Sequence, residues 1–170
     1  MKLRMLVLSM VALCLAAPAF AQGNAARGKA EATINGKKVT IDYGRPDLKG
    51  RDMLSQAQPG MVWRLGMNQA TQIESEGGLM VGDKTLPAGK YTLWAKKVGD
   101  KNWTLAFHPK TGIWGAPPMK EGFVAELPLT MTTANDSAEQ LVISLADMQG
   151  KAGITIQWGT ALLKGSFGVK

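Results

Sequence analysis

Residues 103 to 108, WTLAFH, alternate along the chain: Trp103, Leu105 and Phe107 fall on one side of an extended backbone, and Thr104, Ala106 and His108 on the other. A period of two marks a half-buried strand, because successive strand side chains point to opposite faces. Similar runs recur at 30–34, 39–43, 91–97, 124–131, 140–145 and 154–158, each rich in β-branched or aromatic residues. Only Arg51 to Gln58 reads as a short helix, and Pro59-Gly60 ends it.

The turns agree with the strands. Asn35-Gly36 lies between two of them and is a strong hairpin signal, since both residues tolerate positive φ. Gly82-Asp83-Lys84, Pro87-Ala88-Gly89 and Gly99-Asp100-Lys101 punctuate the middle of the chain. Short strands at this spacing predict an all-β fold: an antiparallel β-sandwich, open or closing toward a barrel, with at most one short helix.

The first residues read differently. Lys2 and Arg4 precede an apolar run from Met5 to Leu15, and Pro18-Ala19-Phe20-Ala21 ends in the small-x-small pattern of an export signal. Cleavage after Ala21 is expected, giving a periplasmic or extracellular product. The run is too short to span a bilayer, which takes about 20 residues, and no transmembrane segment is expected elsewhere. Cys14 follows Leu13, and so bulky a residue fits lipid attachment poorly. The expected division is a signal peptide at 1–21, a flexible stretch at 22–28 and a single domain at 29–170.

Composition narrows the chemistry. Cys14 is the only cysteine in the 170 residues, so the processed chain would have no disulfide, thiol nucleophile or thiolate ligand. The chain has 20 basic and 13 acidic residues; with Lys2 and Arg4 removed, the excess falls from +7 to +5. Lys37-Lys38 and Lys96-Lys97 are the densest local pairs, far short of the concentrated basic face that nucleic acid requires. No nucleic-acid partner, cofactor or metal is expected.

Candidate chemistry centres on residues 61–71, MVWRLGMNQAT. Laid on a strand, Trp63, Leu65, Met67, Thr71 and Ile73 share one face, and Arg64, Asn68, Gln72 and Glu74 the other. Gly66 interrupts the run, and a bulge there would bring Thr71 to the side of Arg64. A guanidinium beside an amide and a hydroxyl suits a carboxylate, phosphate or sugar. The same groups could equally brace a loop crossing, and the partner of Arg64 decides between the two.

Other candidates are weaker. Trp114 lies in the constrained loop TGIWGAPP, where an indole can stack on a flat ligand or cover one end of the core. Trp63, Trp94, Trp103 and Trp158 read as core. His108, the sole histidine, could be a general base but has no Gly-x-Ser-x-Gly nucleophile to serve. Asp42, Glu74 and Glu126 would need a spacing of about 5–9 Å to cut a glycosidic bond. Gly82-Asp83-Lys84-Thr85 has an aspartate where a phosphate loop needs none, and reads as a turn.

A resemblance meets these residues. Asp42-Tyr43-Gly44-Arg45-Pro46, Lys49-Gly50-Arg51, Val62 to Thr71, Leu86 to Leu93, Trp103-Thr104 and Trp114-Gly115 together resemble the bacterial domain-of-unknown-function family twenty-nine-eleven. The likeness spans nearly all of the chain after the signal. It implies a secreted bacterial β-rich domain with no assigned activity or cofactor, and supplies no catalytic residue. Gln69 and Met67 depart from it, standing where an acid and a smaller residue are usual.

The resulting expectation is an exported, non-catalytic binding module for a small anionic or sugar-like ligand, contacted by Arg64, Asn68, Thr71, Tyr43, Arg51, Trp114 and His108. The alternatives are a structural or assembly protein of the envelope that binds a protein partner and, less favoured, a hydrolase.

Overall fold

The computed structural model describes residues 27–51 and 53–170. The expected export signal, with Cys14, lies outside the described residues. The chain is all-β and antiparallel: β1 (Arg27–Ile34), β2 (Lys37–Gly44), β3 (Val62–Trp63), β4 (Gln72–Ser75), β5 (Leu79–Val81), β6 (Lys84–Leu86), β7 (Gly89–Lys97), β8 (Asn102–His108), β9 (Ala125–Asp147) and β10 (Lys151–Val169). They form one sheet in the order β1-β2-β4-β7-β8-β9-β10-β5-β6, with β3 also paired to β7.

Local sequence explains most of these elements. Asn35 and Gly36 adopt φ of 51° and 75°, so the β1–β2 hairpin has the left-handed pair whose twist matches its strands. Gln149 and Gly150, at 54° and 83°, do the same for the β9–β10 hairpin. Strand β1 begins at Arg27, inside the stretch expected to be flexible, because Arg27 pairs with Asp42 across the hairpin.

The length of β9 differs from expectation. The runs at 124–131 and 140–145 belong to a single 23-residue strand. Its first part pairs with β8, from Ala125 opposite Phe107 to Thr130 opposite Asn102. Its register with β10 then shifts twice between Ala161 and Gln157, at Gly159, where the ribbon bends. Such irregularities turn a strand and strengthen its local twist.

Beyond the bend, the sheet folds over itself. Tyr43 of β2 reaches Ile143 of β9, and the segment after β2 meets the same stretch: Leu141 N donates to Pro46 O at 3.2 Å and Leu48 N to Glu139 O at 2.6 Å. The sheet does not close into a barrel, because these links are a phenol and a short bridge rather than a continuous ladder. Ile34, Ile41, Leu93, Leu105, Phe107, Leu141, Ile156 and Phe167 share the resulting apolar interior. A smaller cluster of Ala70, Trp94 and Ala106 is separate, packed with Ile113, Met119 and Phe123 of the β8–β9 connection. This places Trp94 apart from the main core.

Two expectations about local structure are corrected. Residues 53–58 form a turn and a bend and no helix. Leu54 and Ala57 are buried there, while the Arg51 amide donates to Leu48 O and the Arg51 carbonyl accepts from Trp158 Nε1, so its backbone is engaged outside any helical ladder. Residues 64–71 are a loop between β3 and β4, with Leu65 and Asn68 in left-handed conformations at φ of 52° and 61°. Those conformations break the strand parity drawn from the sequence.

Candidate functional site

The loop that carries Arg64 is held against the end of β2 by backbone contact. A Cβ on Gly44 would stand 2.1 Å from Met67 O, and one on Gly66 would stand 3.0 Å from Gly44 O, so two glycines allow the chains to touch. Inside the loop, Thr71 Oγ1 donates to Leu65 O at 2.5 Å and is fully buried. The bulge expected to bring Thr71 beside Arg64 is absent; the hydroxyl closes the loop from within.

A second loop lies along the first. Ala70 N donates to Ile113 O at 3.0 Å, Gly115 N donates to Asn68 O at 2.8 Å, and Gln69 and Trp114 form an isolated bridge. Asn68 thus contributes a left-handed backbone and a carbonyl that fastens the 113–118 loop. Trp114 is 57% exposed, while its neighbours Ala116 and Pro118 turn toward Arg64.

Between these loops and the chain after β2 lies a cleft of about 350 Å³, lined by Arg51 and Arg64 and walled by Pro46, Met53, Met61, Val62, Trp63, Ala116, Pro118 and Trp158. Among the described residues Arg64 has neither an ion pair nor a hydrogen bond. The acids that could have neutralised it are engaged elsewhere: Asp42 with Arg27, Glu74 with Lys90 at 3.2 Å, and Glu126 with Lys96 and Thr104. Arg51 is held in place. Its Nε donates to Leu48 O at 3.2 Å, and its guanidinium lies 5.9 Å from the Trp158 ring centroid. Two cations therefore share one apolar-walled hollow, a setting in which an anion gains more from each charge than it would in open water.

The remaining candidates lie elsewhere. Tyr43 is buried, with its phenol on the Ile143 backbone. His108 is 7% exposed and packs edge-on against Phe123 with ring centroids 5.9 Å apart. Its Nδ1 accepts the Lys110 amide at 3.0 Å, which leaves the proton of the neutral ring on Nε2. Burial, aided by the Lys110 charge, lowers its pKa below the usual histidine value. No group of three or more His, Cys, Asp or Glu side chains suited to a metal occurs among the described residues.

The structure thus joins Arg64 and Arg51 and separates them from Tyr43, Thr71 and His108. The sequence reading missed the apolar wall. Met53 lies outside every stretch singled out, Met61 and Pro118 stand at the ends of the 61–71 and 111–118 stretches with no role assigned to them, and Trp158 reads as a core residue although it reaches the cleft.

A β domain built around a double-loop crossing and an arginine-lined cleft is the class that these features define. A family model described as Protein of unknown function (DUF2911) matches residues 25–166, and the chain belongs to that family. No curated protein and no solved structure matches it.

Proposed function

We propose that this protein is an exported, non-catalytic binding module that takes a small organic anion, a carboxylated ring or acidic sugar, between Arg64 and Arg51. The observation that carries the reading is Arg64 itself. A half-buried guanidinium at the wall of an apolar cleft, without a carboxylate or carbonyl to accept from it, offers a planar set of donors to an incoming anion. The aliphatic and proline walls suit the body of such a ligand and exclude water from the charge pair.

A role without catalysis is supported by the separation of His108 from the cleft and by the engagement of Asp42, Glu74 and Glu126 in pairs of their own. Export is supported by the basic, apolar and small-x-small order of residues 1–21.

The test is a thermal-melt panel of aromatic carboxylates, uronic acids and their neutral analogues against the unaltered protein and Arg64→Ala. An anion at one hundred times its Kd stabilises by about 2.7 kcal/mol. Stabilisation by anions that vanishes in Arg64→Ala supports the reading. Equal responses in both proteins, or none to any anion, overturn it.

A further inference from the structure

At the opposite end of β7 from its Gly89 start, a different cationic group is buried. Lys97 is the last residue of β7 and only 5% exposed. Its ammonium donates to the Asp100 carbonyl and lies 5.1 Å from the centroid of the Trp103 ring. No ion pair involves Lys97 among the described residues. An ammonium has three protons to place, so one carbonyl and one ring face leave it under-satisfied for a buried charge.

The ring beneath it adds a second unmet donor. Trp103 is 1% exposed, and its Nε1 is buried with no acceptor among the described residues. Donors without acceptors are costly where water is excluded, and most buried groups of this kind have partners.

Lys97 lines a cleft of about 350 Å³ together with Lys101, Ser55, Thr132, Thr133 and Asp100, with Leu54 and Met131 as its apolar parts, and Trp103 lies behind it under the Lys97 ammonium. Among the described residues its charge balance is two ammonium groups against one exposed carboxylate, and Ser55, Thr132 and Thr133 add polar lining.

We propose that this cleft is an oxyanion site for a phosphate group, with the Lys97 ammonium at its base, Lys101 at its mouth and the Thr133 hydroxyl along its side, while the Thr132 hydroxyl donates to Leu162 O. A phosphate has acceptors on every face and no need of a planar fork, which fits ammonium and hydroxyl donors better than it fits the guanidinium cleft. The site is independent of the Arg64 reading and stands or falls without it.

The experiment uses the full processed chain titrated with inorganic phosphate and, in a second arm, glycerol 3-phosphate, with chloride at matched ionic strength as the control. Binding is read by melting temperature and by the ¹⁵N-indole resonance of Trp103. Phosphate should raise the melting temperature by about 2–4 °C and shift the Trp103 indole signal. Lys97→Met, which keeps the aliphatic stem over the ring, should lose both effects. Lys101→Ala, on the surface, should weaken binding, and Asp100→Asn should tighten it about threefold by removing the one like charge. A stronger response to the ester than to the free ion identifies a phosphorylated small molecule as the ligand; the reverse identifies phosphate itself. If Lys97→Met fails to fold, Lys101→Ala, Asp100→Asn and the indole signal decide the matter. No response beyond chloride, or an unchanged response in Lys101→Ala and Asp100→Asn, overturns the proposal.

Discussion

The phenol of Tyr43 sits on the backbone of Ile143, 100 residues away: its oxygen accepts the Ile143 amide at 3.1 Å, and its hydroxyl faces the Ile143 carbonyl at 3.4 Å. One side chain thus serves both backbone groups of a residue in β9 at the place where the sheet folds over without closing. Tyr43→Phe leaves that buried amide without its acceptor. It should destabilise the protein by about 1–3 kcal/mol, measured by urea denaturation, while ligand affinity at the arginine cleft stays unchanged. A loss of affinity with full stability would instead return Tyr43 to the binding surface.

Thr71 makes a similar prediction on a smaller scale. Thr71→Val keeps the shape but removes the donor to Leu65 O, and about 1–2 kcal/mol of stability should go with it; Thr71→Ser should recover most of it. If the valine variant is as stable as the parent, the hydroxyl is not what holds the arginine loop shut.

Gly44 tests how that loop is seated. Its absent side chain leaves room for Met67 O, a backbone atom that cannot swing aside. Gly44→Ala should cost about 3 kcal/mol or more and move the loop, so any ligand dependent on Arg64 should bind more weakly even where the variant folds. An unperturbed melt in this variant would show that the two backbones are not in contact.

His108 sets an acid limit. Its folded pKa lies below the ordinary value, chiefly through burial, so the folded state resists protonation more than the unfolded chain does. The associated stability is complete above the unfolded value of about 6.5 and is lost as pH falls through that value toward the folded one. Protonation also turns Nδ1 from an acceptor into a donor facing the Lys110 amide. Melting temperatures of the parent should therefore fall between about pH 7 and 5 more steeply than those of His108→Asn. Parallel curves would remove the histidine from the acid response.

How far the sequence foretells this molecule depends on the range of the interaction. The strand at 103–108 and the turn at Asn35-Gly36 follow from local chemistry, and both are as expected. The residues from 64 to 71 do not follow the alternation of their side chains, because Leu65 and Asn68 take backbone angles that only the contact with Gly44 and the 113–118 loop explains. Arg64 was visible as a candidate from its neighbours. Its freedom from acids was not, since the pairing of Asp42 with Arg27 and Glu74 with Lys90 depends on strand register. Lys97 drew notice only as half of a basic pair, and its burial goes with its place opposite Trp103 of β8 and against the Asp100 carbonyl of the following turn.

The carboxamide of Asn35 donates to Gly150 O at 3.1 Å and to Val169 O at 2.9 Å, so the first hairpin tip grips the last hairpin tip and the end of the final strand. This clasp cannot form until residue 169 has been made. The early hairpins can form before this clasp but are not locked by it, and a closure spanning 134 residues is slow to form compared with contacts between neighbours in the chain.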